Sequence, residues 1–138
     1  MTLTLSTILF DTGCFVLTWL VQLVIYPSFE YYEYADLKRW HSKYTKRISL
    51  LVMPLMIGQL LTNTVAYFQW FSNLILVKLL LILTIWLVTF LVFVPMHKKI
   101  TRITENKNSK VLVHKNWTRT VLWSLVFVIS IIQNFILV

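Results

Sequence analysis

The chain has 138 residues, 58% of them hydrophobic and only 13% charged, with two glycines, three prolines, one cysteine and a net charge of +8. That length suits a single domain over 1–138, and the apolar balance and scarcity of turn residues exclude an ordinary soluble or strand-rich protein. The lone Cys14 excludes an internal disulfide and any cysteine-based zinc cluster.

Four stretches are long and apolar enough to cross a bilayer as helices, at about 3–26, 48–68, 74–95 and 119–138. The first lacks a basic leader and a small-x-small cleavage site and carries Asp11, so it reads as a permanent span. Turning about 100° per residue, Thr4, Thr7, Asp11, Thr18 and Gln22 form one polar stripe on it, which must face other helices or a wet cavity. Cys14 reads as a buried, inert thiol. After Tyr26 and Pro27 comes a polar connection in which Asp36 is a good N-cap for "LKRWHSKYTKR", a helix that runs on into span two. Within that helix His41 precedes Gln59 by eighteen residues, so an unbroken helix aligns them with Asn63, unless Pro54 bends it.

The link "AYFQWFSN" is uncharged and aromatic and suits a tight hairpin anchored by Tyr67 and Trp70 at an interface. Span three opens with Lys78, the natural ion-pair partner for Asp11, and "MHKKITRITE" extends it past Pro95 through His97. "NKNS" reads as a turn, with Ser109 capping a helix through His114 and Asn116 into span four. There Arg119 reaches back to the interface beside Trp117, as an anchor or as a clamp on a carboxylate or phosphate. Thr120, Ser124, Phe127, Ile131 and Asn134 share one side of that span.

Of the 13 Lys and Arg, five lie between Lys38 and Arg47 and seven between Lys98 and Arg119. Clustering in alternate connections is the pattern of membrane topology, so nucleic acid is set aside, those two connections are cytoplasmic, and both termini lie outside. The expected fold is all-α: an integral membrane four-helix up-down-up-down bundle with cytoplasmic helical extensions. His41, His97 and His114 then gather at the cytoplasmic end, where they could hold a single metal ion, or two of them a haem. Gln22, Tyr26, His41, His97 and Arg119 are the expected pocket residues, with Trp86 and Trp123 as apolar walls.

The stretches "WLVQLVIYP", "RWHSKYTKRI", "VPMHKKI" and "NWTRTVLW" resemble landmarks of a group of small four-span bacterial membrane proteins. More loosely, the layout is similar to anthrone-oxygenase-like membrane proteins and to four-helix, haem-type protoporphyrinogen oxidases. The haem-type oxidases carry a histidine in their first span, and span one here has none. The resemblance implies a protein of the bacterial inner membrane and transfers no catalytic residue. The leading functional expectation is a cytoplasm-facing polar pocket for a lipophilic small molecule or cofactor, with membrane oxidoreductase chemistry as one use. The alternatives are an accessory subunit of a homo-oligomer or larger membrane complex, and a small transporter working along the Asp11 stripe.

Overall fold

The computed structural model describes residues 2–102 and 107–136, and among them there are four long helices and no strand. Helix α1 begins as Thr2–Leu20, passes through a π-helical turn at Val21–Ile25, and ends in the short turns Tyr26–Ser28 and Phe29–Tyr31. Helix α2 is Tyr34–Gln69. Helix α3 is Asn73–Val88, a second π-helical turn Thr89–Phe93, and Val94–Arg102. Helix α4 is Lys107–Ile136. In this up-down-up-down ring α1 packs on α2 and α4, and α3 packs on the same two neighbours.

All four helices are long and apolar enough to cross a membrane. The 36 residues of α2 extend about 54 Å at 1.5 Å per residue, well beyond a hydrocarbon layer of about 30 Å. The apolar stretches expected from the sequence are thus the inner parts of longer rods. Pro54 lies on the exposed side of α2, so the helix continues past it, and His41 and Gln59 both point into the bundle.

Three local expectations need correction. Asp36 does not cap α2; Glu33 holds that position without a side-chain bond, and Asp36 sits in the first turn, where its charge suits the positive end of the helix. Ser109 is inside α4 rather than at its cap, because Lys107 is already helical. Asn106, which opens the expected "NKNS" turn, lies outside the described residues. The α2–α3 hairpin is as tight as expected, with Ser72 Oγ accepting from the Ile75 amide at 3.2 Å to cap α3.

The two π turns set what reaches the interior. Along α1 the buried residues Thr7, Asp11, Cys14, Thr18 and Val21 recur at three or four, a phase that would next bury Ile25 and Ser28. The π turn inserts one residue, so Gln22 is buried beside Val21, and Tyr26 and Phe29 take the inward positions. On α3 the buried series Ile75, Lys78, Ile82 and Ile85 points toward Val92 and Lys99. After its π turn the inward residues are Phe93 and Ile100, with His97 on the same side.

Two apolar layers fill the bundle. The central one joins Cys14, Met56, Ile82, Ile85, Trp123 and Val126; the other, toward the basic connections, is built around Tyr26, Phe29, Leu37, Tyr44, Phe93 and Leu112. Gly58 lets α1 and α2 close together, since a Cβ there would collide with the Phe10 ring.

Candidate functional site

The polar residues that such an interior must satisfy fall into three groups along the bundle. Farthest from the basic connections, Asp11 is fully buried and accepts four hydrogen bonds. Gln59 Nε2 and Asn63 Nδ2 donate to one oxygen at 2.9 and 3.2 Å, and Lys78 Nζ and Ser130 Oγ donate to the other at 3.2 and 2.7 Å. Trp123 Nε1 donates to Gln59 Oε1 at 3.1 Å, bringing the indole into the network. The Asp11–Lys78 ion pair is therefore as expected, and every helix contributes to it. Ser130 was not anticipated, although it lies seven residues beyond Trp123 and so on the same face of α4.

The second group ties α1 to α4. Gln22 Oε1 accepts from Asn116 Nδ2 at 2.9 Å and Thr120 Oγ1 at 3.3 Å, while Gln22 Nε2 donates to the Val113 carbonyl at 3.2 Å. Both ends of the amide are thus engaged by protein. Expected as the floor of a pocket, Gln22 instead acts as an interhelical clasp and is not part of the lining of the cleft described below.

The third group stands nearest the basic connections. Tyr26 Oη lies 3.0 Å from His97 Nε2, and His97 Nδ1 lies 2.8 Å from His41 Nε2, so three helices are joined in one chain of hydrogen bonds. Two proton arrangements satisfy it. In one, the phenol donates to His97 and His97 donates to His41; in the other, His41 donates to His97 and His97 donates to the phenol oxygen. Passing from the first to the second requires a proton supplied at Tyr26 Oη and one released from His41 Nδ1, which is buried without a partner. His41 is completely buried beneath Phe29 and Tyr44, and its Nδ1 has no hydrogen-bond partner.

The expected three-histidine group does not form. His114 is exposed on α4, two residues from inward-facing Leu112 and Asn116 and hence on the opposite side of the helix. Among the described residues no three His, Cys, Asp or Glu side chains are grouped for a metal ion. Nor are His41 and His97 set as a sandwiching pair. Nitrogens on opposite sides of a metal at about 2.0 Å each stand about 4 Å apart, whereas these face one another at hydrogen-bond distance.

Arg119 departs most from expectation. It does not reach outward but is buried in the bundle, 8% exposed, with its guanidinium 4.6 Å from the Phe93 ring centroid and 4.8 Å from that of Trp123. Such cation–π contacts offset part of the cost of taking the charge out of water. Arg119 shares the lining of one cleft with the Tyr26 phenol, and its Nε has no partner.

Arg119, Tyr26 and His97 form the inner wall of a cleft of about 420 Å³ between α2 and α3. Its sides are Tyr44, Ile48, Val52 and Met53 from α2 and Thr89, Phe93 and Val94 from α3. Lys46, Ser49, Phe90 and Lys98 line it and are exposed, so it opens sideways between the two helices. The structure brings Tyr26, His97 and Arg119 to this cleft, with His41 bonded behind them. Of the expected walls, Trp123 touches Arg119 from within the core, and Trp86 lines no part of the cleft. Phe93 and Thr89 were not anticipated, because the π turn that aims them leaves no periodic signature in an all-apolar span. Comparison with family models, curated proteins and solved structures gives no match for this chain.

Proposed function

We propose that the chain is an integral protein of the bacterial inner membrane that holds a lipophilic molecule by its polar head in the cleft between α2 and α3. The observation that carries this reading is the composition of that cleft. A sideways opening with apolar flanks leads to a wall where three helices place Arg119, Tyr26 and His97. Its volume is within the range of about 300–1,000 Å³ usual for small-molecule sites, and apolar flanks joined to a polar wall and rim suit a molecule with both a head and a chain. The charge distribution supports an orientation with the two basic connections in the cytoplasm, which puts the cleft at the cytoplasmic level of the bilayer. The Tyr26–His97–His41 chain would let the site give or take a proton as the bound molecule changes its charge, which suits redox use.

Extraction of the protein purified in mild detergent, followed by mass spectrometry, tests this directly. One class of amphiphile should accompany the wild type in near-stoichiometric amount and be lost from Ser49→Trp, which fills the cleft from an exposed position. Equal retention by that variant overturns the proposal. Single cysteines placed at Lys43 and Ser72 should react from opposite sides with a membrane-impermeant maleimide if the orientation is right.

A further inference from the structure

We infer that the head group received at Arg119 is a carboxylate, so that the cleft is a site for a long-chain carboxylic acid; this rests on the cleft being a ligand site. Arg119 is a guanidinium more than nine-tenths buried, and among the described residues no carboxylate lies within ion-pair distance of it. Its surroundings are an incomplete substitute for a counter-ion. Phe93 and Trp123 contact the group through their ring faces, and the Tyr26 phenol is neutral. Carboxylates bond a guanidinium along its edge, in its plane, so an incoming anion does not compete with ring contacts made through the guanidinium's faces. Arg119 and Thr89 both line the cleft, and Arg119 Nε and Thr89 Oγ1 are buried just behind its surface with no hydrogen-bond partner.

Charge matching selects the carboxylate over a phosphate. One deeply placed monocation balances one monoanion, while a phosphate monoester brings about −1.5 to −2 and leaves an excess at a buried wall. The rim lysines Lys46 and Lys98 are exposed and face water, so they attract an anion without neutralising one at the wall. Val52, Met53 and Val94 continue from the polar wall as an apolar track for the chain. An amine head is disfavoured by every charge on the lining.

Native mass spectrometry in a neutral detergent, with oleate, methyl oleate, oleoyl lysophosphatidate and acetate as probes, tests the inference. Oleate should bind as one saturable equivalent. Methyl oleate should bind about 30-fold more weakly, the factor for losing one buried charge-assisted pair. Arg119→Gln should weaken oleate by a similar factor and methyl oleate by much less, because the ester loses only a neutral hydrogen bond, and Arg119→Lys should restore part of the oleate affinity. Acetate at the oleate concentration should not compete, because it lacks the chain. Because the methyl ester is compared on the unaltered protein, the inference stays testable even if Arg119→Gln does not fold. Methyl oleate binding within about threefold of oleate overturns the carboxylate and leaves the cleft as a site for neutral amphiphiles. Lysophosphatidate about tenfold tighter than oleate overturns it in favour of phosphate. Binding of oleate that is indifferent to Arg119→Gln, or no saturable binding of any probe, overturns it as well, and in the last case the cleft reading falls too.

Discussion

Removing Asp11 should harm the fold more than removing Lys78, although the two are partners in one ion pair. The asymmetry comes from what each leaves behind. Lys78→Leu leaves the carboxylate with three donors, Gln59, Asn63 and Ser130, so the loss is one charged hydrogen bond, about 1.5–3 kcal/mol. Asp11→Leu leaves the Lys78 ammonium with only the Ser130 hydroxyl, 3.4 Å away, and a stranded buried charge costs about 3–5 kcal/mol. In the double variant both charges are gone. Asn63 Nδ2 keeps the Gln59 carbonyl at 2.8 Å, which leaves Gln59 Nε2 as the main orphan, about 1–3 kcal/mol. The double change should therefore cost less than the sum of the singles by at least about 1.5 kcal/mol. Unfolding by SDS in mixed micelles, followed by tryptophan fluorescence, measures all three. Thr84→Ala is the control, since exposed Thr84 bonds only its own helix and should change nothing measurable. Hydrogen bonds between neutral side chains in membranes average about 0.6 kcal/mol. If both single variants fall near that value, or if Lys78→Leu is the more damaging, the reasoning about a stranded charge is refuted.

Gly58→Ala should destabilise the bundle by about 1–3 kcal/mol in the same titration, because its new methyl must displace the Phe10 ring at the α1–α2 contact. Cys14, 2% exposed, should resist maleimide in the folded protein and react fully in SDS; labelling without SDS would show that the core layer around it is open. Gln22→Leu should cost about 1–3 kcal/mol by orphaning Asn116 Nδ2, and Asn116→Leu added to it should recover part of the loss. Deleting exposed Leu91 should convert the second π turn to α-helix and rotate the Val94–Arg102 segment by about 100°. His97 would leave the cleft, and a stable bundle that has lost oleate binding is the expected result; undiminished binding would show that the π turn is dispensable.

What the sequence made legible followed from rules that survive burial. Span number, the run of the His41 helix into span two, and the Asp11 stripe all depend on apolar length or on a period of 3.6, and all appear in the fold, while the effect of Pro54 was left open by the sequence. The Asp11–Lys78 pair was readable because a bilayer interior offers two lone charges few other partners. His114 was misplaced through a step the sequence permitted: two residues from Leu112 is about 200° on a helix, the far side. Arg119 lines the cleft as a pocket residue, but its side chain stays inside the bundle instead of reaching out. Its position at the start of an apolar span favours reaching out to the interface, and only the tertiary approach of Phe93 and Trp123 provides a face on which it can stay inside. Phe93 itself is inward because of a one-residue insertion that no periodicity argument detects.

The three polar groups differ in how completely the protein uses them, and that difference separates staple from site. The Asp11 carboxylate has both oxygens filled, and Gln22 has both ends of its amide bonded, each by side chains or backbone of other helices. Neither leaves a direction in which a ligand could be recognised. Other buried atoms do lack partners, among them Asn63 Oδ1, Asn116 Oδ1 and Gln133 Nε2, but each belongs to an amide in the tightly packed bundle interior. Gln133 borders a cavity of about 20 Å³, room for one water and no more. Arg119 and Thr89 line a cleft about twenty times that size that opens from the side, although Arg119 Nε and Thr89 Oγ1 themselves are buried without partners. Thr89 begins the π turn of α3, and the π turn of α1 brings Tyr26 to the same cleft. A π turn weakens helix geometry and is uncommon outside functional positions. Two of them, on different helices, turn Tyr26 and Phe93 toward one cleft while also setting Gln22 and Phe29 into the packed interior.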